Sequence, residues 1–216
     1  MSPGAEGAPR VGVLALQGDF ERHEAALEAL GAAVVRVALA RDLDGLDALV
    51  LPGGESTTML RLMGANGLRA PLEEFVRTRP VLGTCAGLIL LGTEAEGLPA
   101  PPLRALDVSV ERNAYGRQID SFSAPLESPA VGGEFPGVFI RAPRIRRVAD
   151  GVEVIAWRRE GGRREPVGVR SGRIVGLCFH PELTLDLRFH RWFLTAVAGV
   201  SLPAPAEGAP AREEAA

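Results

Sequence analysis

The 216 residues contain no lysine, and all 24 basic side chains are arginines. That absence removes Schiff-base lysines, P-loop lysines and kinase-type lysines from the chemistry open to this chain. Cysteine is nearly as scarce. Two cysteines cannot build a disulfide framework and lack the paired spacing of a zinc site, although a single bridge between them stays open. No metal and no cofactor is called for. Apolar runs are all far shorter than the roughly 20 residues that a bilayer demands. The first ten residues are small and polar and lack the apolar stretch of a signal peptide, so the expected compartment is the cytoplasm. A net charge of -3 favours neither nucleic acid nor a membrane surface as partner.

What is present suits one globular α/β domain: hydrophobic residues make up 46% and charged residues 24%, at a length that buries a sizeable core. Residues 1–9 and 201–216, rich in Ala, Pro, Gly and Glu, read as disordered tails around a single domain spanning 10–200. Residues 11–16 form a continuous apolar run, the pattern of a strand buried on both faces. In the segment 20–30, Phe20, His23, Leu27 and Leu30 share one helical stripe, and Gly31 supplies the stop. Strands are expected at 34–37, 48–51 and 81–83. Helices are expected from Ser56 or Thr57, whose hydroxyls suit an N-cap, at 71–78 and at 86–91. This alternation argues for a mostly parallel sheet with helices on both faces. The second half reads instead as short strands at 108–110, 121–124, 138–141, 152–157, 167–169 and 174–179, with a tight turn at Ser171-Gly172. An amphipathic helix over 184–197 closes the chain, and the sheet is therefore mixed.

Three motifs carry chemistry, each at the end of an expected strand. Gly83-Thr84-Cys85-Ala86-Gly87 lies between an apolar strand and a helix, which is the cysteine form of a nucleophile elbow. The helix start beyond it favours negative charge and offers backbone N–H groups to a developing oxyanion. The bland alternative is a buried structural cysteine beside a helix cap. His180-Pro181-Glu182 supplies what the first motif needs, a base and a carboxylate to orient it. Of the three histidines, His23 and His190 fall on helices and read as packing or surface residues. Cys178 reads as a small core residue. Pro52-Gly53-Gly54-Glu55-Ser56-Thr57-Thr58 is the third motif. Its glycines permit close backbone approach and can complete an oxyanion hole at Gly54 with the N–H of Ala86; it also reads simply as a loop before a capped helix.

In this order the three motifs resemble those of the class I (triad) glutamine amidotransferases. Further stretches narrow the resemblance: Leu14-Ala15-Leu16-Gln17-Gly18, Gly54-Glu55-Ser56-Thr57-Thr58-Met59, Val110-Glu111-Arg112-Asn113, Gly116-Arg117-Gln118, Asp120-Ser121-Phe122 and Phe139-Ile140-Arg141-Ala142-Pro143. Over about residues 11–198 the chain is similar to the glutaminase subunits of pyridoxal 5′-phosphate synthase. The resemblance implies a three-layer, flavodoxin-like α/β fold with a mixed central sheet. It also implies hydrolysis of L-glutamine to glutamate and ammonia by Cys85, His180 and Glu182. Substrate contacts carry over to Gly54, Glu55, Ser56, Arg112, Ile140 and Arg141, and Gln17 to a segment that organises the site when a separate synthase (lyase) subunit binds. Residues 158–165, rich in Arg and Gly, read as a variable loop. A free-standing hydrolase acting on γ-glutamyl peptides, an amidotransferase serving another acceptor and a non-catalytic flavodoxin-like binding protein remain alternatives at this point.

Overall fold

The apolar run near the start folds as β1 (Arg10–Leu14), whose last four residues are buried. It lies parallel between β2 (Ala33–Val37) and β3 (Ala48–Leu51), and α1 (Phe20–Ala29) makes the first crossover. Two helices, α2 (Ser56–Ala65) and α3 (Arg69–Thr78), then lead to β4 (Val81–Thr84), and α4 (Ala86–Leu91) follows after one residue. Beyond it come β5 (Glu94–Ala95), β6 (Val108–Glu111), β7 (Ser121–Ser128), β8 (Gly133–Ile140) and β9 (Arg144–Val148). The hairpin of β10 (Glu153–Glu160) and β11 (Arg163–Ser171) precedes β12 (Ile174–Leu177). The last helix, α5 (Arg188–Trp192), widens into a π-turn over Phe193–Val197. This computed structural model describes residues 7–112, 114 and 121–203; Asn113, Gly116, Arg117, Gln118, Asp120 and tail residues 1–6 and 204–216 lie outside the described residues.

Nine strands form one sheet in the order β2-β1-β3-β4-β12-β11-β10-β7-β8, while β5, β6 and β9 form a second, small sheet. The pairs from β2 through β12 are parallel and those from β12 through β8 antiparallel, so the central sheet is mixed as expected. Parallel strands covered by helices on both faces must be apolar throughout, and β3, β4 and β12 are buried at every residue. A strand that feeds a crossover puts its loops at its carboxyl end. That edge, over β1, β3, β4 and β12, is where all three chemical motifs emerge.

Several elements differ from the sequence reading. The closing helix starts at Arg188 rather than Thr184. Residues 184–187 are instead held by side-chain bonds: Asp186 N–H donates to Thr184 Oγ1 at 3.2 Å and Arg188 N–H to Asp186 Oδ1 at 3.1 Å. Such local acceptors compete with a helical backbone. The turn between β11 and β12 is Gly172-Arg173, since Ser171 already pairs with Ile174. The expected loop at 158–165 is mostly strand, with only Gly161-Gly162 turning, both at positive φ. Arg158 is buried across from Glu165, bonds it at 2.7 Å and lies over the Phe122 ring at 5.1 Å. A charged residue in a strand thus acts as a buried cross-strand partner.

The few aromatic residues concentrate behind the site. Phe135, Phe139, Phe179 and Phe189 are fully buried, with Phe135–Phe189 centroids 4.7 Å apart and Phe179–Phe189 5.2 Å apart, edge to face. Each such pair adds about 0.5–1.5 kcal/mol beyond its burial. Because Phe179 immediately precedes His180, this cluster pins the segment that carries the base.

Candidate active site

Cys85 stands between β4 and α4 at φ 48°, ψ −102°, a conformation that costs energy for any residue with a Cβ. The turn is sustained by its surroundings. A Cβ on Gly87 would lie 2.0 Å from the Leu51 carbonyl oxygen, so only glycine lets α4 sit this close to β3. The Cys85 Sγ is 3.8 Å from the Ile140 carbonyl oxygen at the end of β8.

The neighbouring strand delivers the base. β12 runs in register with β4, Leu177 opposite Thr84, so the segment that follows each strand leaves the sheet at the same level. The His180 N–H donates to Val138 O at 2.8 Å, and a turn over Pro181–Leu183 folds Glu182 back. His180 Nδ1 then donates to Glu182 Oε1 at 2.7 Å, since an ionised carboxylate only accepts. The opposite ring nitrogen, Nε2, is buried without a hydrogen-bond partner among the described residues. Burial by itself lowers the affinity of His180 for a proton, but the Cys85 sulfur and Glu182 outweigh it and raise its pKa to about 10. Glu182 shows the mirror case: burial raises its pKa, while His23 and His180 together hold it well below the usual carboxylate range. Gly53 gives the ring its place, for a Cβ there would meet His180 Cε1 at 2.3 Å.

The glycine loop is braced from two sides. Gln17 Oε1 accepts from the Glu55 N–H at 2.5 Å, tying the end of β1 to the loop after β3. The cap of α2 is Glu55 rather than the expected Ser56 or Thr57: its carboxylate accepts from Thr57 N–H at 3.2 Å and Thr58 N–H at 2.6 Å. Burial opposes ionisation of Glu55, but these bonds prevail and lower its pKa. A carboxylate satisfies two N-terminal donors and faces the positive helix end, which a hydroxyl cannot match. Arg112 reaches the same loop, donating to Glu55 Oε1 at 3.3 Å and Thr57 Oγ1 at 3.2 Å, while its other nitrogen donates to Gly97 O at 3.0 Å.

These pieces enclose one cavity of about 210 Å³. Cys85 and His180 meet there with Gly54, Glu55 and Ser56, and Arg112, Ile140 and Arg141 close the other side. Glu182 stands behind His180, buried, and Ala86 begins α4 beside the nucleophile, also buried. Every sequence-predicted site residue is therefore in the cavity wall or one residue behind it. Asp19 and Ile89 complete the wall and carried no sequence signal. Arg141 shares with Cys85 a positive φ, 41°, so both sides of the cavity hold a strained non-glycine residue. A wider cleft of about 810 Å³ lies at the opposite edge, by the starts of β4 and β12, but no cysteine or histidine lines it.

Two residues read as packing or surface are wired to this site. His23 and His190 are both fully buried. His23 Nε2 lies 3.2 Å from Thr84 Oγ1 and 3.3 Å from Glu182 Oε2, and its Nδ1 lies 3.0 Å from His190 Nε2. Cys178 is buried, and burial pushes its thiol pKa up, in keeping with a core residue. Among the described residues no group of His, Cys, Asp or Glu is arranged to hold a metal ion, and no helix is long and apolar enough to cross a membrane.

A strained cysteine after one strand and a histidine–glutamate pair after its parallel neighbour, on a mixed sheet of this order, define the class: a class I, triad-type glutamine amidotransferase. A solved structure described as a glutamine amidotransferase matches with a TM-score of 0.80 and 48% identity, over 88% of this chain and 99% of that one. The fold also matches that of PurLQS from Thermotoga maritima, with a TM-score of 0.68 and 18% identity, over 88% and 99% of the two chains. The chain belongs to the SNO glutamine amidotransferase family, whose sequence profile matches residues 13–199. It is 50% identical over 189 residues to a Geobacillus thermodenitrificans protein named pyridoxal 5′-phosphate synthase subunit PdxT, covering 87% of this chain and 95% of the relative. A Thermus thermophilus protein of the same name is 51% identical over 193 residues, covering 88% and 98%.

Proposed function

We propose that this chain is the glutaminase subunit of pyridoxal 5′-phosphate synthase, hydrolysing L-glutamine to glutamate and supplying the ammonia to a separate synthase subunit for vitamin B6 synthesis. The observation that carries the reading is the 2.7 Å His180–Glu182 pair, set behind a positive-φ Cys85 in one amino-acid-sized cavity.

The steps follow from the groups present. His180, protonated at neutral pH, has taken the thiol proton before Cys85 Sγ attacks the side-chain amide carbon. Negative charge moves to the carbonyl oxygen, which the N–H groups of Ala86 and Gly54 receive. His180 then gives its proton to the departing nitrogen, ammonia leaves and a γ-glutamyl thioester remains. Water, deprotonated by His180, attacks the thioester; glutamate departs and the proton returns to the thiolate. Glu182 holds the Nδ1–H of His180 and offsets the charge of the imidazolium. The guanidinium of Arg141, or that of Arg112 beside Glu55, suits the substrate carboxylate, while main-chain groups at Gly54 and Ile140 serve its polar ends.

A partner subunit follows from the product. Ammonia in neutral water is mostly ammonium and no longer nucleophilic, and this chain has no lysine for imine chemistry. Gln17, bonded to the glycine loop, is the element through which docking of the synthase would reach the oxyanion site. The test is glutamate release by Cys85→Ala and His180→Asn, each checked for fold by circular dichroism, alone and with the synthase subunit. Both should lose turnover while keeping the fold, and wild-type turnover should rise with the partner. A folded, active Cys85→Ala protein would sink the assignment.

A further inference from the structure

All three histidines of this chain belong to one buried run of contacts, His190–His23–Glu182–His180, that ends at Cys85. The reaction described above uses only its last members. Interior imidazoles must find partners for both nitrogens, so a run of this kind is costly unless it serves a purpose. Leucine would fill the buried stripe of α1 at position 23 with no such demand.

We infer that His23 is a positioning residue for the glutaminase reaction, reaching from α1 to fix both the Glu182 carboxylate and the strand end that carries Cys85. The inference rests on the triad reading above. Three contacts carry it. Glu182 Oε1 is taken by His180, and its buried Oε2 has no hydrogen-bond partner among the described residues, so the contact left to it is the 3.3 Å approach of His23 Nε2. The same nitrogen sits 3.2 Å from Thr84 Oγ1, one residue before the nucleophile. A carboxylate accepts only, so the proton of His23 lies on Nε2, which is within hydrogen-bond distance of the Thr84 hydroxyl and in ion-pair contact with the carboxylate. On the far side, Nδ1 is held at 3.0 Å by His190, which burial keeps neutral, with its pKa pushed down to about 3. His190 thus orients His23 as Glu182 orients His180.

The consequence is a carboxylate gripped from two elements. Glu182 is faced by His180 from its own turn and by His23 from α1; His190 of α5 stands behind His23, and Cys85 beyond His180. Without His23 one carboxylate oxygen is buried unpaired. Glu182 then takes up a proton more easily, and a protonated Glu182 releases its hold on the His180 tautomer.

The experiment compares His23→Leu, His23→Gln and His23→Asn in the full chain, with and without the synthase subunit, by glutaminase kcat, KM and pH profile. His23→Leu should lose about 10- to 100-fold in kcat with little change in KM, the scale seen when a partner behind a functional ligand is removed. Its acid limb should move toward neutral pH by about one unit, as Glu182 loses one of the two groups that favour its charge. His23→Gln, whose amide N–H occupies the Nε2 position, should recover most of the rate; His23→Asn, which reaches only the Nδ1 position, should not. A folded His23→Leu protein with wild-type kcat and pH profile overturns the inference, as does equal activity of the Gln and Asn variants should the Leu variant fail to fold. Failure of the triad reading is separate, because it would appear as turnover by Cys85→Ala.

Discussion

Gly53→Ala is the sharpest test of how the base is seated. The backbone at Gly53 is not in the left-handed region, so alanine costs nothing in φ, and whatever the substitution does must come from contact. Its Cβ would lie 2.3 Å from His180 Cε1, 3.0 Å from Nδ1 and 3.3 Å from Nε2, where ordinary contact begins at 3.4 Å. The ring must therefore retreat by about 1 Å, a displacement that costs on the order of 100-fold when it falls on a catalytic group. It cannot retreat freely. Its Nδ1 is held at 2.7 Å by Glu182 and its backbone N–H at 2.8 Å by Val138, so the imidazole tilts and loses either its orienting bond or its aim at Cys85. Overpacking of this size destabilises by about 1–3 kcal/mol, which leaves the fold intact. The assay is glutamate release at saturating glutamine, paired with alkylation of Cys85 by a glutamine-like electrophile; both rates should fall together while KM changes little. Gly64→Ala serves as control. Gly64 is inside α2, has nothing within 4 Å of a Cβ, and should gain about 0.5–1 kcal/mol without any change in turnover. Wild-type kcat in a folded Gly53→Ala protein would refute the seating argument.

Two further outcomes follow from individual contacts. Glu55→Ala removes the cap of α2 and a partner of Arg112; it should lower stability by about 1 kcal/mol in thermal melts and raise KM more than it lowers kcat. The pH dependence of stability should separate the two histidines at the ends of the buried run. His180 binds its proton more tightly folded (about 10) than its ordinary 6.5, so its contribution is full below pH 6.5 and is lost as pH rises through about 10. His190 is depressed to about 3, so its contribution is present above pH 6.5 and is lost as pH falls toward 3. Melting temperatures of His180→Gln should therefore lack part of the alkaline decline and those of His190→Leu part of the acid one; parallel curves for wild type and variants would contradict both assignments.

The parallel half of the fold was legible because each strand there is a short apolar run ended by glycine or by a chemical motif. β1, β3 and β4 needed only that pattern. The strand β9, by contrast, reads Arg-Ile-Arg-Arg-Val, and charge hides its period until β6 is seen to lie beside it. The closing helix was overextended because amphipathic spacing persists through 184–187 while the Thr184–Asp186–Arg188 bonds decide otherwise. In the site, the meeting of Cys85, His180 and Glu182 was readable from the order strand, cysteine, helix and strand, histidine, carboxylate. The cavity wall at Asp19 and Ile89 was not, since nothing local marks a residue that faces a cavity built by other segments. The contacts that link His23 and His190 to the site were hidden for the same reason. The two histidines are 167 positions apart, and each alone resembles an ordinary helical histidine. A signal did exist in composition: a chain with only three histidines placed two of them on apolar helix stripes.

The antiparallel half is more than an extension of the sheet. Its strand β8 ends at the site, where the Ile140 carbonyl faces Cys85 Sγ, the Val138 carbonyl holds the His180 backbone and Arg141 bends into positive φ at the cavity rim. Nucleophile and base come from the parallel strands, but their separation is gauged by this third element, which the buried Phe135 and Phe139 anchor to Phe179. Strain sits at Cys85 and Arg141, both in the wall of the cavity, one from each half of the sheet. It follows that changes in the β7–β8 hairpin before Ile140, distant in sequence from Cys85 and His180, should alter glutaminase kcat through the distance between thiol and imidazole.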